Sequence, residues 1–257
     1  MTPPFEDQLE CAAAAARAAG SVIRESFGQP IHTEFKSPTD PVTEVDRRCE
    51  VLIRESLHAA FPEIDFWGEE FGRGQLDGPA CWIVDPLDGT KNFVHGYPFV
   101  AVSVALVDRQ GTALGVVYDP LRDELFHATR GGGAFCNEQS LEVSRAARLE
   151  EALVVTGFTN DPPKQKELLW DAMSLCQGLR RGGASALDLC QVAAGRLDAM
   201  WEWQLAPWDM AAASLIISEA QGTVSRLDGS SFDLFGGQIL ATNTSLHRAF
   251  VDLIASR

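Results

Sequence analysis

The spacing of apolar residues predicts two helices near the start of the chain. Helix-forming residues run from about Glu6 to Phe27 and stop at Gly28. A second helix is predicted from Thr43 to Phe61, where Pro62 closes it, because apolar residues recur there at helical spacing. These apolar positions are Val45, Cys49, Leu52, Ile53, Leu57 and Ala60. Between the helices, the segment from Lys36 to Pro41 contains two prolines and predicts a mobile loop.

Short apolar runs predict strands in the middle of the chain. The run from Trp82 to Val84 is typical of a strand covered on both faces, and Pro86 is predicted to end its pairing in the sheet. Residues from Ile64 to Glu70 predict a shorter strand that ends in two glutamates. We expect the two strands to lie side by side, which would bring these glutamates near Asp85 and Asp88.

The remaining apolar runs complete a mixed pattern of strands and helices. Pro98 to Val107 and Thr112 to Tyr118 predict a hairpin, and a third strand follows at Glu124 to Ala128. Further predicted strands are Leu153–Thr156, Ala199–Trp203 and Gln238–Ala241, and further predicted helices are Lys164–Gly178, Ala186–Ala194, Pro207–Gln221 and a last one from about Ser245. We predict one compact unit of two subdomains, an N-terminal α+β subdomain at 1–140 and a C-terminal α/β subdomain at 141–257.

Composition and charge narrow the classes of function. The net charge of −15 would repel phosphate backbones, so a nucleic-acid polymer or an anionic membrane is not expected as a partner. The six cysteines include no Cys-x-x-Cys pair, which speaks against zinc ribbons and thioredoxin-like chemistry. An alanine-rich run near the start is interrupted by Arg17 and preceded by acidic residues, unlike a signal peptide. We therefore expect a cytoplasmic protein.

Two aspartates and a glycine follow the central predicted strand. Asp85 and Asp88 flank Pro86 and Leu87, and Gly89 permits a close approach of the backbone to a ligand. Two carboxylates beside such a backbone turn are typical of a metal and phosphate site. The same residues are also ordinary turn formers, so a simple strand-to-loop turn is the alternative.

Other acidic side chains also have structural alternatives to a functional role. Asp46 lies in the first turn of its predicted helix, where an acid is favoured by capping and by the helix dipole. The pair Glu69–Glu70 is typical of a solvated surface. Asp209 lies at a predicted helix start, which also favours an acid. Glu202 lies among tryptophans on a predicted strand, either on an exposed face or at a pocket.

Three stretches together resemble the inositol monophosphatase family, whose superfamily also contains the fructose-1,6-bisphosphatases. Asp85-Pro86-Leu87-Asp88-Gly89-Thr90 resembles the first family signature, Trp208-Asp209-Met210-Ala211-Ala212 the second, and Gly68-Glu69-Glu70 a third motif in the expected order. The resemblance covers nearly the whole chain. It implies an α+β fold, specifically a layered α/β/α/β/α sandwich of the inositol monophosphatase and sugar phosphatase type. It also implies a homodimer, lithium sensitivity and magnesium as the cofactor, with two or three ions.

The resemblance also implies roles for individual residues. The implied magnesium ligands are Glu69, Asp85, Asp88, Asp209 and the main-chain carbonyl of Leu87. The implied catalytic residues are Glu69, Asp46 and Thr90, and the implied phosphate-binding residues are Gly89 and Thr90. The implied substrate contacts are Asp88, Ser185, Glu202 and Asp209. Lys36 matches a loop lysine near the metal site, although the loop from Lys36 to Asp46 is one residue shorter than in the animal enzymes.

The activity implied by the resemblance is magnesium-dependent hydrolysis of a phosphate monoester by direct attack of metal-activated water. The expected substrate is a small phosphorylated alcohol, inositol 1-phosphate. Lys91 also occurs in nucleotide- and histidinol-phosphate phosphatases of the superfamily, so histidinol phosphate and 3′-phosphoadenosine 5′-phosphate are alternative substrates. Fructose 1,6-bisphosphate, the substrate of another superfamily member, is a further alternative. A catalytically silent binding protein on this fold is an alternative from another class. A haloacid-dehalogenase-type phosphatase is disfavoured, because that family has two aspartates separated by one residue.

Overall fold

Two sheets alternate with three layers of helices in the computed structural model, which describes residues 5–73, 78–158 and 162–256. The helices are α1 (Glu6–Ser26), α2 (Glu44–Ala60), α3 (Thr90–Val94), α4 (Pro162–Leu175), α5 (Ser185–Ala193), α6 (Pro207–Glu219) and α7 (His247–Ala255). The first ten strands are β1 (Thr33–Ser37), β2 (Asp40–Thr43), β3 (Asp65–Gly68), β4 (Gly72–Arg73), β5 (Ala80–Asp88), β6 (Ala101–Asp108), β7 (Gly111–Asp119), β8 (Glu124–Thr129), β9 (Gly133–Cys136) and β10 (Gln139–Ser140). The last five are β11 (Leu153–Thr156), β12 (Gly178–Arg180), β13 (Ala199–Trp203), β14 (Gly222–Ser225) and β15 (Gln238–Asn243).

The strands form one large sheet, one smaller sheet and a separate hairpin. The large sheet has eight strands in the order β10-β9-β8-β7-β6-β5-β3-β4, and the smaller has five in the order β12-β11-β13-β15-β14. In the large sheet β3 and β5 are parallel, which confirms that they lie side by side. The predicted hairpin is also confirmed, because β6 and β7 pair antiparallel. Strands β1 and β2 form the separate hairpin.

The helices occupy three layers around these sheets. Helices α1 and α2 pack on each other and on strands β5, β6 and β7. Helices α5 and α6 contact both sheets and therefore lie between them. Helices α4 and α7 pack on the opposite face of the smaller sheet, where Val154, Trp201 and Phe250 belong to one apolar cluster. This order of layers confirms the predicted α/β/α/β/α sandwich.

The local sequence explains why the layers pack closely. The buried face of α1 consists largely of alanines, whose small side chains let α2 and the sheet approach. Strand β6 is buried along most of its length, because helices cover both faces of the sheet there. This double cover explains the continuous apolar run in its sequence. Among the described residues, no helix is both long and apolar enough to cross a membrane.

Two local predictions were wrong, and both involve proline. Pro86 does not end the pairing of β5, because an extra residue between Asp85 and Asp88 forms a bulge opposite β6. The segment from Lys36 to Pro41 is not a loop but the turn region of the β1–β2 hairpin, in which Pro41 pairs with Phe35. A two-stranded hairpin accepts proline because each of its strands is an edge strand. The division into subdomains 1–140 and 141–257 stays a prediction.

Candidate metal and phosphate site

Three aspartates from two distant parts of the chain meet between the sheets. Asp85 and Asp88 lie on either side of the β5 bulge, and Asp209 lies in the first turn of α6. Each offers a carboxylate oxygen, and these oxygens all lie within 4.8 Å of one another. Asp85 and Asp88 are buried, whereas Asp209 is partly exposed. The bulge therefore places two acids, three positions apart, where they share one site with a helix start.

Backbone N–H groups hold two of these carboxylates in place. One oxygen of Asp85 accepts a hydrogen bond of 3.0 Å from the N–H of Leu87. One oxygen of Asp209 accepts a hydrogen bond of 2.7 Å from the N–H of Ala206, the residue that caps α6. Asp209 therefore supports the start of α6, as its structural alternative predicted. It uses one oxygen and leaves the other for a ligand.

Asp88 is held by the other half of the sandwich. Its Oδ1 accepts a hydrogen bond of 3.0 Å from the N–H of Ser185, and its Oδ2 accepts from the N–H groups of Ala186 at 2.8 Å and Leu187 at 3.3 Å. These three N–H groups form the first turn of α5 and have no partner inside that helix. An acid from the large sheet therefore caps a helix that begins 97 residues later.

The three aspartates disfavour each other's charge. Burial, followed by the nearby charges of Glu69, Asp88 and Asp209, raises the pKa of Asp85 well above its ordinary range. Burial and the charge of Asp88 likewise raise the pKa of Asp209. Burial raises the pKa of Asp88 to about 7, although hydrogen bonds from α5 oppose the shift. A site that repels its own negative charge is suited to a cation.

The donor atoms of this site fit a hard divalent ion. The three neighbouring carboxylates supply only oxygen, and the Leu87 carbonyl lies between Asp85 and Asp88 in the chain. Magnesium prefers such oxygen ligands at octahedral geometry and usually keeps several waters. The residues present therefore fit magnesium.

Glu69 lies beside the three aspartates but is engaged by a lysine. Its Oε1 is 3.0 Å from Nζ of Lys36, which also lies 2.7 Å from Oε1 of Glu70. The charge of Glu69 is close enough to raise the pKa of both Asp85 and Asp209. The β1–β2 hairpin thus places a cation beside Glu69, and binding of a metal ion there would compete with this ion pair.

A threonine and an aspartate form a second polar group beside β5. Oγ1 of Thr90 lies 2.8 Å from Oδ1 of Asp46 and 3.1 Å from the carbonyl oxygen of Leu87. Both neighbours are acceptors, so the hydroxyl donates its one proton to one of them and keeps lone pairs for a further donor. Asp46 also forms the predicted capping box with Thr43 at the start of α2. Its structural and candidate catalytic roles use different oxygens.

The turn after Asp88 depends on a glycine. Gly89 has φ of +91°, a conformation that favours glycine. A Cβ at this position would lie 3.0 Å from the carbonyl oxygen of Phe99 and 3.1 Å from Cβ of Ala184. The backbone at Gly89 and Thr90 is therefore held close to its neighbours, in a turn that only glycine readily adopts.

Glu202 and Ser185, the two residues predicted to contact the substrate, form a hydrogen-bonded pair. Oγ of Ser185 donates a hydrogen bond of 2.9 Å to Oε2 of Glu202. Burial is the largest cause that raises the pKa of Glu202 to about 8, and the charges of Asp209 and Asp188 add to it. A Cβ on Gly157 would overlap Oε1 of Glu202, so the glycine makes room for the carboxyl. The carboxyl of Glu202 is thus enclosed beside Ser185 and Gly157 rather than on an open surface.

Comparison with known proteins identifies the family. The family model described as the inositol monophosphatase family matches residues 6–256. The chain belongs to the inositol monophosphatase family. Members of this family are phosphoric monoester hydrolases, so the predicted enzyme class is confirmed.

Relatives and solved structures agree with this assignment to the inositol monophosphatase family. An inositol-1-monophosphatase from Synechocystis sp. is 42% identical over 254 residues, covering 96% of this chain and 88% of that protein. Inositol monophosphatase 2 from Solanum lycopersicum is 43% identical over 264 residues, covering 97% and 98%. The structure of extragenic suppressor protein suhB from Bartonella henselae superposes with a TM-score of 0.92 at 37% identity, covering 97% and 98%.

Two buried acids of this inositol monophosphatase fold were missed by the sequence analysis. Both oxygens of Glu50, in the middle of α2, accept hydrogen bonds, from the N–H of Glu70 at 2.7 Å and of Phe71 at 3.0 Å. Asp188, in α5, accepts from the N–H of Gly183. The partners of Glu50 lie about 20 residues away in another loop, whereas the partner of Asp188 lies five residues earlier, in the segment before α5. Only the burial of an acid on an apolar helix face would have been a signal.

We expect Glu50→Gln to weaken magnesium binding, because the amide of glutamine would face one of the two N–H donors that fix the backbone beside Glu69. Supporting contacts around metal ligands are worth about 10–100-fold in affinity, so the half-saturating magnesium concentration should rise by that factor. Turnover at saturating magnesium should change less. Calorimetric magnesium titration and activity titration measure both quantities, with exposed Glu55→Gln on the same helix as the matched control. Unchanged magnesium affinity in Glu50→Gln would contradict the role given to Glu50.

Proposed function

We propose that this protein hydrolyses a small phosphate monoester with the help of magnesium, and that inositol 1-phosphate is its substrate. The observation that carries the proposal is the group of three aspartates within 4.8 Å, connected through Asp88 to Ser185 and Glu202. The names of the Synechocystis and Solanum relatives support inositol phosphate as the substrate. The residues proposed to hold magnesium are Asp85, Asp88, Asp209, Glu69 and the carbonyl of Leu87.

Charge stabilisation and positioning must supply most of the rate. Hydrolysis of phosphate monoesters is accelerated by enzymes up to ~10²¹-fold, whereas one general base contributes only about 10²–10⁴-fold. Bound magnesium ions would supply Lewis-acid stabilisation of the phosphate charge and lower the pKa of a water molecule. The chain contributes the rigid backbone that fixes each carboxylate, so little reorganisation is needed during the reaction.

Thr90 and Asp46 are proposed to orient the attacking water. The Thr90 hydroxyl donates towards Asp46 Oδ1, which leaves a lone pair of Thr90 to accept a hydrogen bond from water. Burial raises the pKa of Asp46, and hydrogen bonds from Thr43 and Thr90 oppose that shift by favouring the carboxylate. The phosphate is proposed to bind the backbone N–H groups of Gly89 and Thr90, in the turn that requires a glycine.

Glu202 and Ser185 are proposed to recognise the alcohol part of the substrate. The serine hydroxyl holds Oε2 of Glu202 and leaves Oε1 for a substrate hydroxyl. Asp88 accepts a hydrogen bond from the N–H of Ser185 at the start of α5. Asp209 lies close enough to Glu202 for its charge to raise the pKa of that carboxyl. This arrangement favours a polyol phosphate over a phosphate ester without neighbouring hydroxyls.

The function is tested by magnesium-dependent phosphate release from inositol 1-phosphate, fructose 1,6-bisphosphate, histidinol phosphate and 3′-phosphoadenosine 5′-phosphate. We expect preference for inositol 1-phosphate, and we expect Glu202→Gln to reduce that preference about tenfold, the scale of one lost hydrogen bond. The control substrate is p-nitrophenyl phosphate, which has no polyol hydroxyl and should be affected little. Preference for another substrate would change the substrate assignment, whereas no turnover of any would favour a catalytically silent binding protein.

Direct attack of water, without a phosphoenzyme, is part of the proposal. Asp85 and Asp88 are both fixed by backbone N–H groups, which leaves neither as an exposed nucleophile. A covalent phosphoryl-enzyme trapped by rapid quench would contradict direct attack. The homodimer, the lithium sensitivity and the number of magnesium ions stay predictions. A cytoplasmic location is supported by the six cysteines, all of which are free thiols.

A further inference from the structure

A cavity of 400 Å³ lies where α2 ends and β3 begins. Its volume is within the range of about 300–1,000 Å³ that is typical of small-molecule sites. Pro62, Ile64, Phe66 and Trp82 contribute apolar surface to its wall, and we call it the Trp82 cavity. Among the described residues of this wall, none is proposed to bind magnesium, phosphate or substrate.

One polar group in the wall of the Trp82 cavity lacks a partner. Trp82 is only 1% exposed, and within the described residues its Nε1 has no hydrogen-bond acceptor. Phe61 packs against the indole, with ring centroids 6.2 Å apart, so the position of the ring is fixed. A buried N–H without an acceptor destabilises the folded state. A ligand that places an oxygen beside this N–H would remove that destabilisation.

The wall also carries charges of both signs that are not neutralised. Arg54 and Asp65 both line the cavity, and in the part of the chain that the structure describes neither forms an ion pair. The guanidinium of Arg54 lies 5.5 Å from the ring centroid of Phe71, and this stacking leaves the N–H groups at its edge for an acceptor. Oδ2 of Asp65 accepts a hydrogen bond of 3.0 Å from the N–H of Gly78, which leaves Oδ1 for a donor.

These groups together restrict the charge of a ligand. A simple anion would be repelled by Glu55 and Asp65 in the same wall and by the net charge of −15. A simple cation would leave Arg54 and the N–H of Trp82 without an acceptor. A molecule with both a carboxylate and an ammonium group can serve both, because the carboxylate accepts hydrogen bonds and the ammonium group donates them. The apolar part of the wall then suits an apolar side chain.

We propose that the Trp82 cavity binds a free α-amino acid with an apolar side chain. The carboxylate of the ligand accepts hydrogen bonds from the guanidinium of Arg54 and the indole N–H of Trp82. The ammonium group donates to Asp65, and the side chain packs on Ile64 and Phe66. This site does not depend on the function proposed above, and it adds a second small molecule to the ligands of the protein.

The Trp82 cavity is connected to the candidate metal site through Arg54. The charge of Arg54 is close enough to Glu50 to oppose the rise in the pKa of that carboxyl caused by burial. Glu50 in turn accepts hydrogen bonds from the N–H groups of Glu70 and Phe71, next to Glu69. Any change that the amino acid makes in magnesium affinity is therefore matched by an equal change that magnesium makes in amino acid affinity.

Calorimetric titration at one saturating magnesium concentration tests the proposal, because bound magnesium keeps the ammonium groups of the probes away from the aspartate site. The probes are L-leucine, L-phenylalanine and L-serine. Two analogues of leucine separate its charges, since isocaproate lacks the ammonium group and isoamylamine lacks the carboxylate. We expect saturable binding of leucine or phenylalanine, and at least about tenfold weaker binding of serine and of both analogues.

Variants of the wall locate the binding. Arg54→Gln should weaken leucine binding about tenfold or more, whereas Arg48→Gln, at an exposed position of the same helix outside the wall, is the matched control and should leave it unchanged. Trp82→Phe keeps an aromatic ring but removes the N–H, so it should weaken binding about fivefold. Because Arg54 is exposed, its variant decides the test even where Trp82→Phe fails to fold.

Four outcomes would overturn the amino acid site. They are no saturable binding of any amino acid, equal leucine binding by Arg54→Gln and Arg48→Gln, binding of isocaproate as tight as that of leucine, and loss of leucine binding in Asp85→Asn. The third would show a site for carboxylates, and the fourth would place the ligand at the aspartates. Asp85→Asn separates this test from the proposed function, because it should lose turnover and keep leucine binding.

Discussion

Replacing Asp85 with asparagine is expected to lower kcat/KM by ~10³-fold or more, the scale of losing one preorganised electrostatic group at a reaction centre. The asparagine side-chain oxygen can still accept the hydrogen bond from Leu87, so the β5 bulge keeps its shape. What changes is the loss of one negative charge and of one ligand oxygen. Magnesium-dependent phosphate release measures kcat/KM, and calorimetric magnesium titration measures how far the lost charge and ligand oxygen weaken magnesium binding.

The same variant is expected to make the metal-free protein more stable. Asp85 is buried, and the charges of Glu69, Asp88 and Asp209 raise its pKa, which means that its ionised form destabilises the folded state. Asp85→Asn removes that repulsion, so urea unfolding in a chelator at pH 8 should show a higher free energy of unfolding than in the wild type. Asp252→Asn, on the exposed face of α7, should change neither activity nor stability. A variant that stayed active would refute the metal-ligand role of Asp85.

The metal-free protein is expected to lose stability as the pH rises from about 5 to 8. Burial raises the pKa of Asp88 and of Asp188 to about 7, from an ordinary 3.8, and raises the pKa of Glu202 to about 8, from 4.5. Between the ordinary and the raised pKa values the folded state binds more protons than the unfolded state. The free energy of unfolding therefore falls with pH in that window, by a few kcal/mol at ~1.4 kcal/mol per pKa unit.

Magnesium should remove the part of this pH dependence that arises from Asp88, because the bound cation favours the carboxylate form of its ligands. Unfolding curves in urea at pH 5.5 and pH 8, with a chelator and with magnesium, measure the effect. The double variant Asp188→Asn/Glu202→Gln should flatten the slope in the chelator without removing the aspartate site. A free energy of unfolding that rose between pH 5.5 and pH 8 in the metal-free wild type would contradict the raised pKa values.

The sequence predicted the long elements of the fold and missed the short ones. Helices α1, α2 and α6 were predicted within two residues of their ends, because glycine, proline and capping residues mark them. Strands β9, β12 and β14 were missed, because three or four residues do not establish a period. The β1–β2 hairpin was missed because its two prolines indicated a loop. Proline is avoided in central strands, but an edge strand such as β2 tolerates it.

The candidate site was predictable as a set of residues but not as a network. The aspartates at 85, 88 and 209 lie in contiguous motifs and were predicted as ligands from a resemblance. The capping of α5 by Asp88 and the support given by Glu50 depend on backbone N–H groups far away in sequence. Every residue except proline has a backbone N–H, so the sequence does not show which N–H group binds a distant carboxylate.

The capping of α5 by Asp88 has a consequence for the synthesis of the protein on the ribosome. Asp88 emerges from the ribosome 97 residues before Ser185, which at about 5–20 residues per second corresponds to roughly 5–20 seconds. During that interval the first acids of the site have neither their helix partner nor Asp209. A nascent chain therefore cannot bring the three aspartates together until the first turn of α6, which carries Asp209, has been synthesised.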